Sequence, residues 1–228
     1  MIICPTTLGA SQLTQAASGH HSHFGHNISN KSFPLSPSIA VCCAWNNKFA
    51  NGQLTYTIVG GDALSRQAII QAMSEWSSKV NGLQFTQVSD KNSADIVVNF
   101  QNGGNNHRGL DGLGSIGGGH GRIDIAGETI LHSSGNGLID GAQITIASGA
   151  FGVPIGTNKV KQIALHEIGH ALGLGHANFV GDIMAPALNY EKVSISKCDV
   201  DAALSAEQWK LQGSSTTPQP PNAGHVEC

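Results

Sequence analysis

Residues 166–176 read HEIGHALGLGH, running from His166 through Glu167, His170 and Gly173 to His176. The residues before them, TNKVKQIAL, and those within place apolar side chains at Val160, Ile163, Ala164, Ile168, Ala171 and Leu172. This is the three- and four-residue recurrence of a helix with one buried face, and Thr157 or Asn158 is available as its N-cap. His166 and His170 then lie one turn apart on a shared face, where two imidazoles reach the same ion. Glu167, rotated by about 100° from His166, is placed to meet a water at the metal and serves as a base instead of a ligand. Gly173 ends the helix in the left-handed conformation that glycine adopts freely, and His176 comes back to the metal. Three neutral imidazoles leave a fourth tetrahedral position open, which separates a catalytic zinc site from a closed structural one. Two histidines four apart occur by chance; the third histidine at this offset, with the glycine between, is what argues against ordinary surface histidines.

HEIGHALGLGH is similar to the extended zinc signature of the metzincin metallopeptidases. Eight residues past His176, Met184 in DIMAP resembles that family's Met-turn, which sets a methionine beneath the zinc as an apolar floor. The short gap from third histidine to methionine, and Pro186 two residues after it, most resemble matrixins. Ala177 stands where matrixins usually carry serine, and Ala185 where they usually carry tyrosine, with Tyr190 the nearest substitute. The resemblance implies an α+β fold: a metzincin-type twisted mixed β-sheet with a long helix, an active-site helix carrying the zinc motif, and a small C-terminal subdomain with Met-turn and closing helix. It implies one catalytic Zn2+ held by His166, His170 and His176, Glu167 as general base, and endopeptidase hydrolysis of a polypeptide lying extended against an edge strand.

Outward from the motif, the pattern becomes globular at Trp45. QLTYTIVG alternates Leu54, Tyr56 and Ile58 as a half-buried strand. A helix follows, capped by Asp62, with Ala68, Ile69, Ala72, Met73, Trp76 and Val80 as a core stripe. LQFTQV and ADIVVNF read as two further strands, the second nearly continuous in β-branched residues and therefore central. This order also resembles the matrixin catalytic domain, from Trp45 to Trp209. Residues 101–121 are glycine-rich and read as a long surface loop with a short edge strand near Leu113 to Ile116. In matrixins the matching region holds a structural zinc and calcium. His107, Asp111, His120, Asp124, Glu128 and His132 are the candidate ligands here for an additional structural Zn2+ or Ca2+, although their spacing does not reproduce the family's elements. RIDIAGETIL reads as a strand, and CDVDAALSAEQWKL as a closing helix with Val200, Ala203, Leu204 and Trp209 facing the sheet.

The chain has 228 residues, a charged fraction of 12% and a formal net charge of −3. One domain accommodates that length, and the charge leaves no nucleic-acid footprint. No run approaches the ~18–20 apolar residues of a membrane span. Five cysteines, Cys4, Cys42, Cys43, Cys198 and Cys228, form no CxxC pair, so disulfides in an oxidising compartment are the expected use, consistent with a secreted or extracellular protein. Adjacent cysteines resist bonding to each other, so Cys42 and Cys43 are each expected to seek Cys198 or Cys228. The opening residues lack a basic n-region, and His20, His21, His23 and His26 sit in a polar, aperiodic stretch. The expected organisation is a disordered leader or pro-segment over 1–44, a catalytic domain over 45–212 and a linker-like tail over 213–228, acting as a monomer. The competing class is a catalytically inactive binding module of the same fold with zinc as scaffold; retention of Glu167 argues against it.

Overall fold

The alternation of Leu54, Tyr56 and Ile58 becomes strand β2 (Gln53–Val59), with all three side chains buried. The structure, a computed structural model, describes residues 36–101, 127–134, 137–150, 153–187, 194–211, 217–218 and 224–228. Helix α1 (Ala63–Lys79) starts at Asp62, whose carboxylate accepts the Ser65 N–H at 2.8 Å. That bond to an otherwise orphaned helix donor holds the Asp62 carboxyl below its ordinary range. The predicted stripe, Ala68, Ile69, Ala72, Met73 and Trp76, is buried.

Strands β3 (Gln84–Gln87) and β4 (Ile96–Gln101) pair parallel to β2 on either side. Two more strands, β5 (Gly127–Ser134) and β6 (Leu138–Ala147), complete a mixed five-stranded sheet of order β3-β2-β4-β6-β5. The apolar β4 is its middle strand, as its composition predicts. β6 pairs parallel to β4 and antiparallel to β5, and β3 and β5 are the outer strands among the described residues. The sequence pattern read above does not predict β6, although Ala142, Ile144 and Ile146 alternate inward and are buried; its polar alternate residues and Gly141 dilute the signal. The expected short strand at 113–116, and residues 122–126 of the expected RIDIAGETIL strand, lie outside the described residues.

A small hairpin, β7 (Gly149–Ala150) and β8 (Val153–Pro154), leads into α2 (Thr157–Ala171). The N-cap is Gly156, not Thr157 or Asn158: Gly156 is extended, its carbonyl accepts from Lys159 N–H and Val160 N–H, and no side chain completes the cap. Helices α1 and α2 pack together, and α2 lies across β5 and β6.

Beyond α2, β9 (Leu174–Ala177) joins a second sheet of order β10-β1-β9. Its other members, β1 (Ser38–Val41) and β10 (Gly224–Glu227), lie within the segments expected as leader and tail. Ile39 and Val41 are buried, and the pairing runs through main-chain registers such as Ile39↔Val226 and Ile39↔Ala177. Such ladders leave no periodicity in two four-residue segments. Cys228 is disulfide-bonded to Cys198, 30 residues earlier. Cys42 and Cys43 are paired with each other across a Cα–Cα distance of 3.8 Å, against the expectation that each finds a distant partner; Cys198 and Cys228 already hold one another. Cys4 lies outside the described residues.

The expected closing helix is divided into α3 (Lys197–Ala206) and α4 (Gln208–Leu211). The break falls at Glu207, which is buried and whose carboxylate accepts the Trp45 N–H at 3.0 and 3.2 Å. Ala203 is buried and Val200 and Leu204 pack against the core; the side chain of Trp209 lies outside the described residues.

Candidate active site

From Ile163 to Ala171 every residue of α2 is buried, so its backbone is held by the core on all sides. Two indoles brace it. Trp76 Nε1–H donates to Leu165 O at 2.9 Å, beside the first histidine, and Trp45 Nε1–H donates to Ala171 O at 2.8 Å, beside the second. Gly169 faces Met184: a Cβ there would lie 2.4 Å from Met184 Sδ and 3.3 Å from Trp76 Cζ2. The methionine comes this close to α2 only because residue 169 has no side chain. Gly173 has φ +87°, and a Cβ would meet Cys43 O, so the turn out of the helix requires glycine, as expected. Cys42 N–H donates to Gly173 O at 3.0 Å, and β1 then pairs with β9, which carries His176.

His166, His170 and His176 converge, one ligand nitrogen from each lying within 4.8 Å of the others. His166 Nδ1–H donates to Ile183 O at 2.6 Å and His170 Nδ1–H to Leu174 O at 2.8 Å. A carbonyl only accepts, so both rings carry their proton on Nδ1 and turn an Nε2 lone pair inward, the outer-shell arrangement of metal-ligating histidines. The two Nε2 atoms are 3.0 Å apart, close to the roughly 3.3 Å of two nitrogens bound to one tetrahedral zinc. Two lone pairs at that separation repel unless a cation lies between them, and the donor set fits zinc on this ground. Burial reinforces it: it depresses His166 to about 4, His170 well below the usual imidazole range, and His176 also downward. All three imidazoles are neutral at neutral pH, the form that can hold a metal.

Met184 is fully buried in a turn in which Asp182 Oδ1 accepts the Met184 N–H at 2.8 Å. Ala177 N–H donates to Met184 O at 2.8 Å, which ties the turn to the strand carrying the third histidine. Ala185 is buried and Pro186 exposed; Tyr190 lies outside the described residues.

Glu167 leaves the ligand face, as the helical rotation predicts, and runs to β5. Thr129 Oγ1 lies 2.7 Å from Glu167 Oε2 and 3.0 Å from Glu167 O, and a Cβ on Gly127 would fall 2.5 Å from Oε1. Burial pushes the carboxyl up to about 7, with the Thr129 hydroxyl opposing and the Glu128 charge adding to the rise. Sequence reasoning missed Thr129 and Gly127 as neighbours of Glu167. The only signal was their position in a strand that the motif itself does not mention. Of the candidates for a second metal, Glu128 and His132 are on β5 and belong to no group of three ligating side chains among the described residues; His107, Asp111, His120 and Asp124 lie outside them.

The chain matches the family model for the matrixin domain over residues 44–206. It is similar to Metalloendoproteinase 1 of Glycine max, 30% identical over 158 residues that cover 65% of this chain and 48% of that protein. It is similar also to Metalloendoproteinase 5-MMP of Arabidopsis thaliana, 30% identical over 65% of this chain and 41% of that one. With the interstitial collagenase of Sus scrofa the identity is again 30%, over 68% of this chain and 32% of that one. The chain thus aligns with about half the length of these relatives or less. With the family match spanning both the sheet and the three-histidine site, the chain belongs to the matrixin family.

Proposed function

We propose that this chain is a zinc-dependent endopeptidase that hydrolyses peptide bonds of extended polypeptides. The observation that carries the reading is the convergence of three neutral imidazole nitrogens within 4.8 Å beside a buried glutamate that is not one of them. His166, His170 and His176 would hold the ion. Zinc, when bound there, supplies a Lewis acid that polarises the scissile carbonyl and acidifies water. Glu167 takes the proton from the attacking water and returns it to the leaving amine. Thr129 and Gly127 fix where the carboxyl stands. The edge strand β5 has β6 on one side only among the described residues, which leaves main-chain donors and acceptors for an extended substrate. The Cys198–Cys228 disulfide supports an oxidising, extracellular setting, and no helix among the described residues is long and apolar enough to cross a membrane.

Glu167→Ala tests the reading. Casein or gelatin digestion by wild type and variant at matched zinc content, with chelated and zinc-restored controls, is expected to show a loss of about 10²–10⁴ in rate with zinc stoichiometry unchanged. A wild-type chain that binds zinc and cleaves no polypeptide would instead favour the binding-module alternative, and an active variant would overturn the role of Glu167.

A further inference from the structure

Beside the turn that carries Met184 lies a buried acid pair that the proposed chemistry does not use. Asp182 opens that turn and Asp199 stands in the first turn of α3; they are 4% and 0% exposed. Asp182 Oδ1 accepts the Met184 N–H, and Asp182 Oδ2 accepts the Ser196 hydroxyl at 3.0 Å. Asp199 Oδ2 accepts the Ser196 N–H at 2.7 Å, and Asp199 N–H donates back to Ser196 Oγ at 3.1 Å. One atom of the cluster is left over: Asp199 Oδ1 is buried without a partner. The Asp182 carboxyl meets Asp199 at Ser196, whose hydroxyl donates to Asp182 Oδ2 and accepts the Asp199 N–H, and burial together with the Asp182 charge raises the proton affinity of Asp199. Two ionised carboxylates sharing a dry site repel strongly, and such pairs hold a single proton.

We propose that Asp182 and Asp199 share one proton, and that this carboxyl–carboxylate link makes Asp182 a positioning residue for His166. With the proton on Asp199 Oδ1 and donated to Asp182, the orphaned atom gains its partner and the pair carries one negative charge. Burial and the Asp182 charge push Asp199 up to about 7, in agreement with the geometry. The link runs from α3 through Asp182 into the turn, and the next carbonyl of that turn, Ile183 O, is the one that orients His166 through its Nδ1–H. Of the other titratable groups on elements packed against the pair, His166 on α2 is neutral through burial and His176 on β9 is depressed as well. His225 and Glu227 on β10 are exposed, as is Lys197, which pairs with Asp201. The charge acting on Asp199 is that of Asp182.

The proposal rests on the three histidines holding zinc, and its test reads spectra and metal affinity instead of hydrolysis. Infrared spectra of the full chain in a Glu167→Gln background, which removes the proton of Glu167, are expected to show the C=O stretch of a protonated carboxyl at a pH where ordinary aspartates are ionised. Asp199→Asn is expected to abolish that band, since its amide supplies an N–H in place of the O–H, and to keep zinc affinity within about twofold by chelator competition. Asp182→Ala is expected to weaken zinc by about tenfold, the size of losing one or two net hydrogen bonds. Should Asp182→Ala not fold, Asp182→Asn takes its place: it keeps an acceptor for the Met184 N–H and offers its own N–H to Asp199, so it should lose the band and retain zinc. The link is overturned if the band is missing in the parent or persists in either asparagine variant. The positioning role is overturned if Asp182→Ala is less stable yet binds zinc unchanged. A chain that binds zinc and cleaves nothing would sink the proposed activity and leave the link standing.

Discussion

At the residue scale the decisive quantity is how burial divides protons between Glu167 and the histidines. In the metal-free protein Glu167 is raised from 4.5 to about 7. A carboxyl whose folded value lies above its unfolded one contributes stability that is complete below the unfolded value and is lost as pH rises through the folded value. His166, lowered from 6.5 to about 4, behaves oppositely: its neutral burial costs stability as pH falls from 6.5 through 4. The two slopes oppose each other between 4.5 and 6.5 and separate above it. Glu167→Gln removes only the first, and Asp199, raised as well, is common to both proteins and cancels in the comparison. Urea midpoints measured in chelator across this range are expected to show Glu167→Gln gaining on wild type as pH rises from 4.5 through about 7. A difference that does not change with pH would show that Glu167 is not held protonated by the fold.

At the scale of elements, α2 is pinned by tryptophans at its middle and at its C-terminal end, and this predicts that the indole N–H matters apart from the ring. Trp76→Phe keeps most of the buried aromatic surface but removes the bond to Leu165 O. Losing a buried hydrogen bond of this kind costs on the order of 1–3 kcal/mol, and the carbonyl that loses its partner sits next to His166. Denaturant unfolding of the zinc-free variant should show that loss; no loss would mean Leu165 O is satisfied well enough by α2 alone. Trp76 was legible in the sequence as a core residue, because three- and four-residue spacing reports which face is buried. Its polar bond to α2 was not, since it joins residues 89 apart. The same division holds across the site. His166, Glu167, His170 and His176 were legible because their chemistry is written within eleven consecutive residues. Gly169 gave no sign of Met184 above it, and Asp182 and Asp199 gave none of each other, because those contacts exist only after α2, the turn and α3 have packed. β2, α1 and β4 were legible from periodicity and apolar runs, whereas β1 and β10 are four-residue strands whose identity lies in main-chain pairing.

At the scale of the whole molecule, the two ends of the described chain converge on the strand of the third histidine, and that convergence predicts a long-range effect on the proposed metal site. β9, with His176, pairs with β1; β1 pairs with β10; and β10 is fastened to α3 by Cys198–Cys228. Cys228 N–H also donates to Pro37 O, so the bridge sits where β10 meets the start of β1. By the chain-entropy account a bridge closing a loop of this length contributes about 3.5 kcal/mol through the unfolded state. That part alone would lower global stability and leave a folded chain's zinc affinity unchanged. The sheet adds a second, native-state part: without the bridge β10 is held by its ladder to β1 and by packing on α3, and a frayed β10 leaves β1 as an edge strand supporting β9 from one side. Replacing both cysteines by serine is therefore expected to lower the unfolding midpoint in line with the entropy figure, and also to raise the zinc dissociation rate under conditions where the chain remains folded. Amide exchange at Ile39 and Val41 should quicken in parallel, and exchange in the central strand β4 should not. A variant that loses stability while keeping both the zinc dissociation rate and the β1–β9 protection would show that the bridge acts on the unfolded chain alone and that His176 is held by Gly173 and the Met184 turn without help from the chain ends.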